Sequence, residues 1–176
     1  AELVRLAAET MLEQAQWMQM LARDQRLREE LVLQLIGVSP PGAGLDDWAL
    51  RLGVDLARPR VALLIEIADA ALAPDAVLAA QQRLRRLLAE QEPGLPCAQV
   101  TLRELAVLMP VPAAPSDLRD RLHSLHERLG GEGGGQPQLA LGGRFEGEDG
   151  LARSWQSARA TLQAGRRHRP QAAIHC

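Results

Sequence analysis

The chain has 176 residues, 47% of them apolar, which is enough to bury the core of one ordinary domain with an extra element to spare. A net charge of −2 excludes a surface that grips phosphate backbones by bulk charge. An aromatic content of 2%, scattered over Trp17, Trp48, Phe145 and Trp155, excludes a stacking platform for single-stranded nucleic acid.

No run reaches the roughly 18 continuous apolar residues that a membrane helix needs. Ala1 leads straight into charged, periodic sequence, so no signal peptide is expected, and its not being Met points to a piece of a longer protein. The 20 basic side chains are all arginine, a bias that fits a GC-rich coding sequence. Glu2 to Ile36 contains no Gly or Pro and is rich in good helix formers, which predicts one long helix. Along it Val4, Ala8, Met11, Ala15, Met18 and Ala22 recur at alternating steps of four and three. That spacing makes an apolar seam suited either to a coiled-coil partner or to packing within the chain. Gln25 and Glu29 break the seam, and Leu27, Leu31 and Leu35 form a second stripe expected to pack on the domain that follows.

Ser39 to Gly44, rich in Pro and Gly, reads as a linker. A short helix is predicted from Leu45 to about Leu52, with Asp46 and Asp47 at its positive end and Gly53 as its stop. Arg60 to Ile67 is nearly continuously apolar, which predicts a central strand covered on both faces. A helix is predicted over Ala73 to Gln91, and Pro93 to Pro96 turns the chain. Cys97 to Thr101 and Leu105 to Met109 are close enough to pair as a hairpin. Ser116 is a candidate N-cap for a helix running to Leu129. A glycine loop, Gly130 to Gln136, leads to a short strand over Gln138 to Leu141. The last helix is expected over Asp149 to Ala164 with Gly165 ending it, and Ala172 to His175 suits an edge strand. Helices interleaved with strands around a tight hairpin predict an α/β or α+β sandwich, a mixed sheet with helices packed on it.

Candidate sites weigh lightly. His123 and His126, with Glu127 alongside, have the spacing of two ligands on one helix face, but a closed metal site needs four. A solvated face is the simpler expectation, so no metal is expected there. The glycine run 130–135 follows a helix and precedes a strand, the reverse of a phosphate loop, and no lysine accompanies it. Glu66 and Asp69 at the end of the central strand would suit Mg²⁺ only if a phosphate ligand shared it, and a solvent-facing strand end is the simpler expectation. Arg166, Arg167, His168 and Arg169 form a basic cluster after the last helix that could touch an acidic partner or DNA, with complementing the helix dipole the simpler expectation. Cys97 and Cys176 show no pairing pattern, which fits a reducing cytoplasm. No nucleophile setting and no specific carboxylate pair stands out, so neither catalytic residues nor a cofactor is expected.

Three blocks carry a resemblance. Residues 2 to 36, with MLEQ at Met11 to Gln14 and RLREELV at Arg26 to Val32, resemble the segment after the sensor domain of sugar-diacid utilisation regulators of the CdaR/PucR type. Trp48 to Ile67 looks like the opening of that family's middle domain, and Leu141 to Leu162 like its closing strand and helix. The resemblance implies a transcription regulator in three parts. An N-terminal domain binds the sugar diacid, a middle domain resembles the GGDEF fold of diguanylate cyclases, and a C-terminal helix-turn-helix binds DNA. The present chain would hold a long linker and dimerisation helix over 1–38, a linker over 39–44 and the GGDEF-like domain over 45–176. It would act in the cytoplasm as a homodimer, away from the membrane, with the diacid pocket and the DNA reader both outside it. A cyclase hairpin carries Gly-Gly-Asp/Glu-Glu-Phe. The matching hairpin here reads Thr101-Leu102-Arg103-Glu104-Leu105, in which only Glu104 survives and Arg103 stands at the metal-binding acid. The resemblance therefore implies a non-catalytic, signal-transmitting domain, with a degenerate nucleotide sensor as the alternative.

Overall fold

The computed structural model describes residues 2–69, 71–92, 94–130 and 137–176, the side chains of residues 2–9, 91 and 115 excepted. Among them run α1 (Glu2–Leu35), α2 (Leu45–Arg51), β1 (Arg60–Ile67), α3 (Pro74–Gln91), β2 (Cys97–Gln99), β3 (Glu104–Pro110), α4 (Pro115–Leu129), β4 (Pro137–Leu141), α5 (Gly150–His168) and β5 (Ile174–His175). No helix among the described residues is long and apolar enough to cross a membrane.

The strands form one sheet in the order β2-β3-β1-β4-β5. β1 lies at its centre, antiparallel to both β3 and β4, and β5 runs parallel to β4. Alternate residues of a strand point to opposite faces, and β1 is buried both ways. Val61, Leu63, Ile65 and Ile67 meet α3 and α4 through Val77, Leu84, Leu88, Leu122 and Leu125. Ala62 and Leu64 meet α5 and the end of α1 through Trp155, Ala158, Leu162, Val32 and Ile36. On this second face the strands present alanines (Ala62, Ala98, Ala106, Ala140), so a helix carrying a fully buried Trp155 can lie close to the sheet. The expected α+β sandwich and its hairpin are therefore present.

α5 is fastened to the sheet by polar contacts as well. Where β4 turns away from β1, the Ala62 N–H donates to Ser154 Oγ at 2.8 Å and the Ala62 carbonyl accepts from the Gly142 N–H at 2.9 Å. A Cβ on Gly142 would lie 2.0 Å from the Ser154 carbonyl oxygen, so only glycine lets the strand pass under the helix. Gly143 N–H donates to Ser157 Oγ one turn later.

Three local expectations change. Ser116 is not the cap of α4: Ala114 is the N-cap and Pro115 occupies the first turn, where its missing N–H has no helical partner to lose. Gly165 does not end α5. The helix runs on to His168, so the basic cluster from Arg166 to His168 forms its last turn rather than following it. Leu27 is 39% exposed and lies off the docked stripe, which consists of Leu31, Val32, Leu35 and Ile36. Steps of four residues advance 400° around a helix, so Leu27, Leu31 and Leu35 drift away from a fixed face.

Candidate functional site

Two surfaces qualify. The first lies at the C-terminal end of β1, where Glu66, Ile67, Ala68, Arg103, Gln138 and Arg166 line an open cleft of about 540 Å³. Register places Glu66 directly opposite Glu104 across β1 and β3, so two carboxylates stand side by side at the mouth of the hairpin. Glu66 is ion-paired with Arg166, whose Nε also donates to Gln138 Oε1 at 2.9 Å. Burial pushes the Glu66 carboxyl above the usual range and Arg166 pulls it back only in part, while Glu104 adds to the rise.

Arg103 projects from the hairpin turn across the end of β1. Its guanidinium donates to the carbonyls of Ile67 at 3.2 Å, Asp69 at 2.7 Å and Leu72 at 3.3 Å. Carbonyl oxygens converging in this way are hard ligands suited to a cation such as Mg²⁺, and here a guanidinium takes them. Asp69 turns its Oδ1 to the Ala71 N–H at 2.9 Å. On the other side the buried amide of Gln81 donates to the Thr101 carbonyl at 3.1 Å, and Thr101 Oγ1 accepts from the N–H groups of Arg103 and Glu104. Leu102 is 43% exposed at the tip and Leu105 is fully buried in the core. The hairpin Thr101–Leu105 is thus held shut on its own domain. The structure brings Glu66, Arg103 and Glu104 together at the end of β1, where Asp69 enters through its backbone carbonyl. Arg166, legible in sequence only as part of a basic cluster, and Gln81 could not be placed here beforehand, because α5 and α3 reach this end of the sheet only through the fold.

The second surface is the free half of α1. Met11 is 71% and Met18 63% exposed, and Ala15 and Ala22 are exposed too. The side chains of Val4 and Ala8 lie outside the described residues. Leu12, Trp17, Met20 and Leu21, at 50% exposure or more, extend the apolar surface beyond the predicted seam. α1 meets the domain from Glu29 onward. Glu29 is ion-paired with Arg85 of α3, and Leu31 packs with Ala49, Leu52 and Val54 beside α2.

Elsewhere the described residues offer little. His123 faces the Arg119 carbonyl of its own helix at 2.9 Å, and His126 Nε2 is buried. No group of three metal-ligating side chains occurs among the described residues. The glycine run lies outside them from residue 131 to 135. Cys97 is half-buried and Cys176 exposed, both as thiols. A groove of about 690 Å³ where α1, the 41–46 segment and the start of α5 meet carries Arg58, Arg60 and Arg144 but also Asp46, Glu146, Glu148 and Asp149, so its charges point to no single ligand.

Comparison with known proteins adds three findings. Residues 37–164 match the family described as GGDEF-like domain. The chain is similar to the carbohydrate diacid regulator of Escherichia coli (strain K12), 37% identical over 175 residues, covering 97% of this chain and 46% of that protein. It thus spans about half the length of that relative, and no solved structure matches it.

Proposed function

The chain belongs to the GGDEF-like domain family, and from that footing we propose that it is the non-catalytic, signal-transmitting middle of a carbohydrate-diacid-responsive transcription regulator. In this reading residues 1–38 form the dimerising and transmitting helix, 39–44 a linker and 45–176 the GGDEF-like domain. The diacid pocket and the DNA-binding helix-turn-helix belong to flanking parts. The parent protein works in the cytoplasm as a homodimer on genes for diacid uptake and breakdown. Diacid binding upstream alters the pose or pairing of α1, which moves the domains behind it. A ligand can do so only by binding one of two arrangements more tightly than the other. Likeness to a carbohydrate diacid regulator over 97% of the chain supports the regulatory role.

One observation carries the absence of catalysis. The guanidinium of Arg103, which in this reading takes the place of the cyclase metal-binding acid, donates to the carbonyls of Ile67, Asp69 and Leu72. A cation brought there meets a fixed positive charge and ligands already in use. Titration calorimetry with GTP and Mg²⁺ should give no binding heat, and incubation should give no cyclic dinucleotide. Product formation that Glu104→Ala abolishes would establish a cyclase instead. The adjacent Glu66 and Glu104 favour a second reading, a nucleotide sensor without turnover. Binding heat without product would select it.

A further inference from the structure

The docked and the free parts of α1 use one face of the helix. Leu31, Val32, Leu35 and Ile36 bury against the domain. Moved back by two heptads, the same four positions hold Trp17, Met18, Leu21 and Ala22, and by three heptads Thr10, Met11, Gln14 and Ala15. All eight of these earlier residues are exposed and none is charged. Between the two parts the face carries Asp24, Gln25, Arg28 and Glu29, which are tied locally: Asp24 to Arg28 at 3.2 Å, Gln25 to Glu29 at 3.2 Å, and Glu29 to Arg85.

We propose that α1 pairs with α1 of a second copy, parallel and in register, along Met11 to Ala22, and that the pairing ends at Asp24, where the face turns polar and locally tied ahead of the turns that the domain holds. This rests on the reading of α1 as a dimerising, transmitting helix and gives that contact its seam, orientation and limit. Met11 and Met18 take one core position of the heptad, Gln14 and Leu21 the other, with Ala15 and Ala22 beside them small enough for close approach. Gln14 identifies the occupant. An amide in the middle of an apolar face loses water when that face is covered and then needs a partner. Its carboxamide is both donor and acceptor, so the same residue of a second helix at the same level satisfies it. A lipid surface or a purely apolar groove would leave it unpaired. Parallel order sets Gln14 against Gln14, whereas antiparallel order sets it against an apolar level for most offsets. The Asp24–Glu29 group then marks where the paired helices part toward their own domains.

The test is cysteine cross-linking on the full chain with Cys97→Ser and Cys176→Ser as background, alongside molar mass by light scattering. Single cysteines replace Met11, Met18, Leu21, Gln25 and Arg28, and Gln16 and Arg23 on the outer side serve as controls. All of these sites are exposed or half-exposed, so the fold tolerates them. Met11→Cys, Met18→Cys and Leu21→Cys should each give a disulfide-linked dimer at several times the yield of the controls. Gln25→Cys and Arg28→Cys should stay at the control level. Gln14→Leu should keep the dimer but let the register slip, spreading the cross-links to neighbouring positions. A monomeric chain at every concentration overturns both the proposal and the dimerising role of α1. A dimer that cross-links at only one of Met11, Met18 and Leu21, as an antiparallel pair would, or equally well at Gln25 and Arg28, overturns the proposal and leaves dimerisation standing.

Discussion

Gly165 looks in sequence like the stop of the last helix, since a glycine follows the last apolar periodic residue. In the fold it lies within α5, at the place where β5 crosses the helix. A Cβ there would stand 2.1 Å from His175 Nδ1. Gly165→Ala should therefore push β5 off the sheet at a cost of ~1–3 kcal/mol, as overpacking does elsewhere. Denaturant unfolding would measure the loss, and the Leu139 amide, which donates to Ala173 beside β5, should exchange faster. His175 is 5% exposed, and burial, with Arg166 and Arg169 adding repulsion, holds its imidazole below the usual histidine value. The folded chain then binds fewer protons than the unfolded one. Stability is full above the ordinary pKa of ~6.5 and falls as pH drops from there toward the lowered value. Urea midpoints at pH 7.5 and 5.5 should differ, and His175→Gln should shrink that difference. No local signal reveals such a site, because its partner lies ten residues along the chain and on another element.

Among the elements, β1 and the hairpin were legible because continuous burial and a short turn leave clear marks in sequence. The order of strands in the sheet left none. α5 was legible as a helix, but not its means of attachment: Ser154 reads as an ordinary polar residue until the fold sets it under Ala62. Ser154→Ala should leave the buried Ala62 N–H unpaired and destabilise the chain by ~1–3 kcal/mol. Ser154→Thr, which keeps the hydroxyl, should recover part of this if the extra methyl fits, and thermal unfolding of the two variants would separate the lost bond from altered packing. The hairpin shows the same division. The residues of the hairpin, Thr101 to Leu105, could be read directly, whereas the carbonyls that receive Arg103 come from the end of β1 (Ile67) and from the loop between β1 and α3 (Asp69 and Leu72). Arg103→Ala should free those carbonyls, and hydrogen exchange of residues 71 and 72 should rise without a matching rise in β1.

At the scale of the whole chain, two bodies of different character share one polypeptide: a domain closed around β1, and a helix that is exposed over residues 10–22. The alternation of helices and strands foretold the first, and the absence of Gly and Pro over 34 residues the second. A version without residues 1–22 should keep its unfolding midpoint within a degree or two, since residues 10–22 are exposed apart from the domain. Its molar mass should fall from dimer to monomer if α1 is the contact. The geometry of attachment has a mechanical side. At 1.5 Å per residue α1 is ~50 Å long, yet only its last turns, Leu31 to Ile36, are seated in the core. It is a lever with its fulcrum at one end. A tilt of ~5° at that seat, little more than a change of side-chain packing, carries the far tip through ~4 Å. Force applied at the tip works with the long arm, so a small push on the distal end bears on Val32, Ile36 and Trp155 beneath them with several-fold gain.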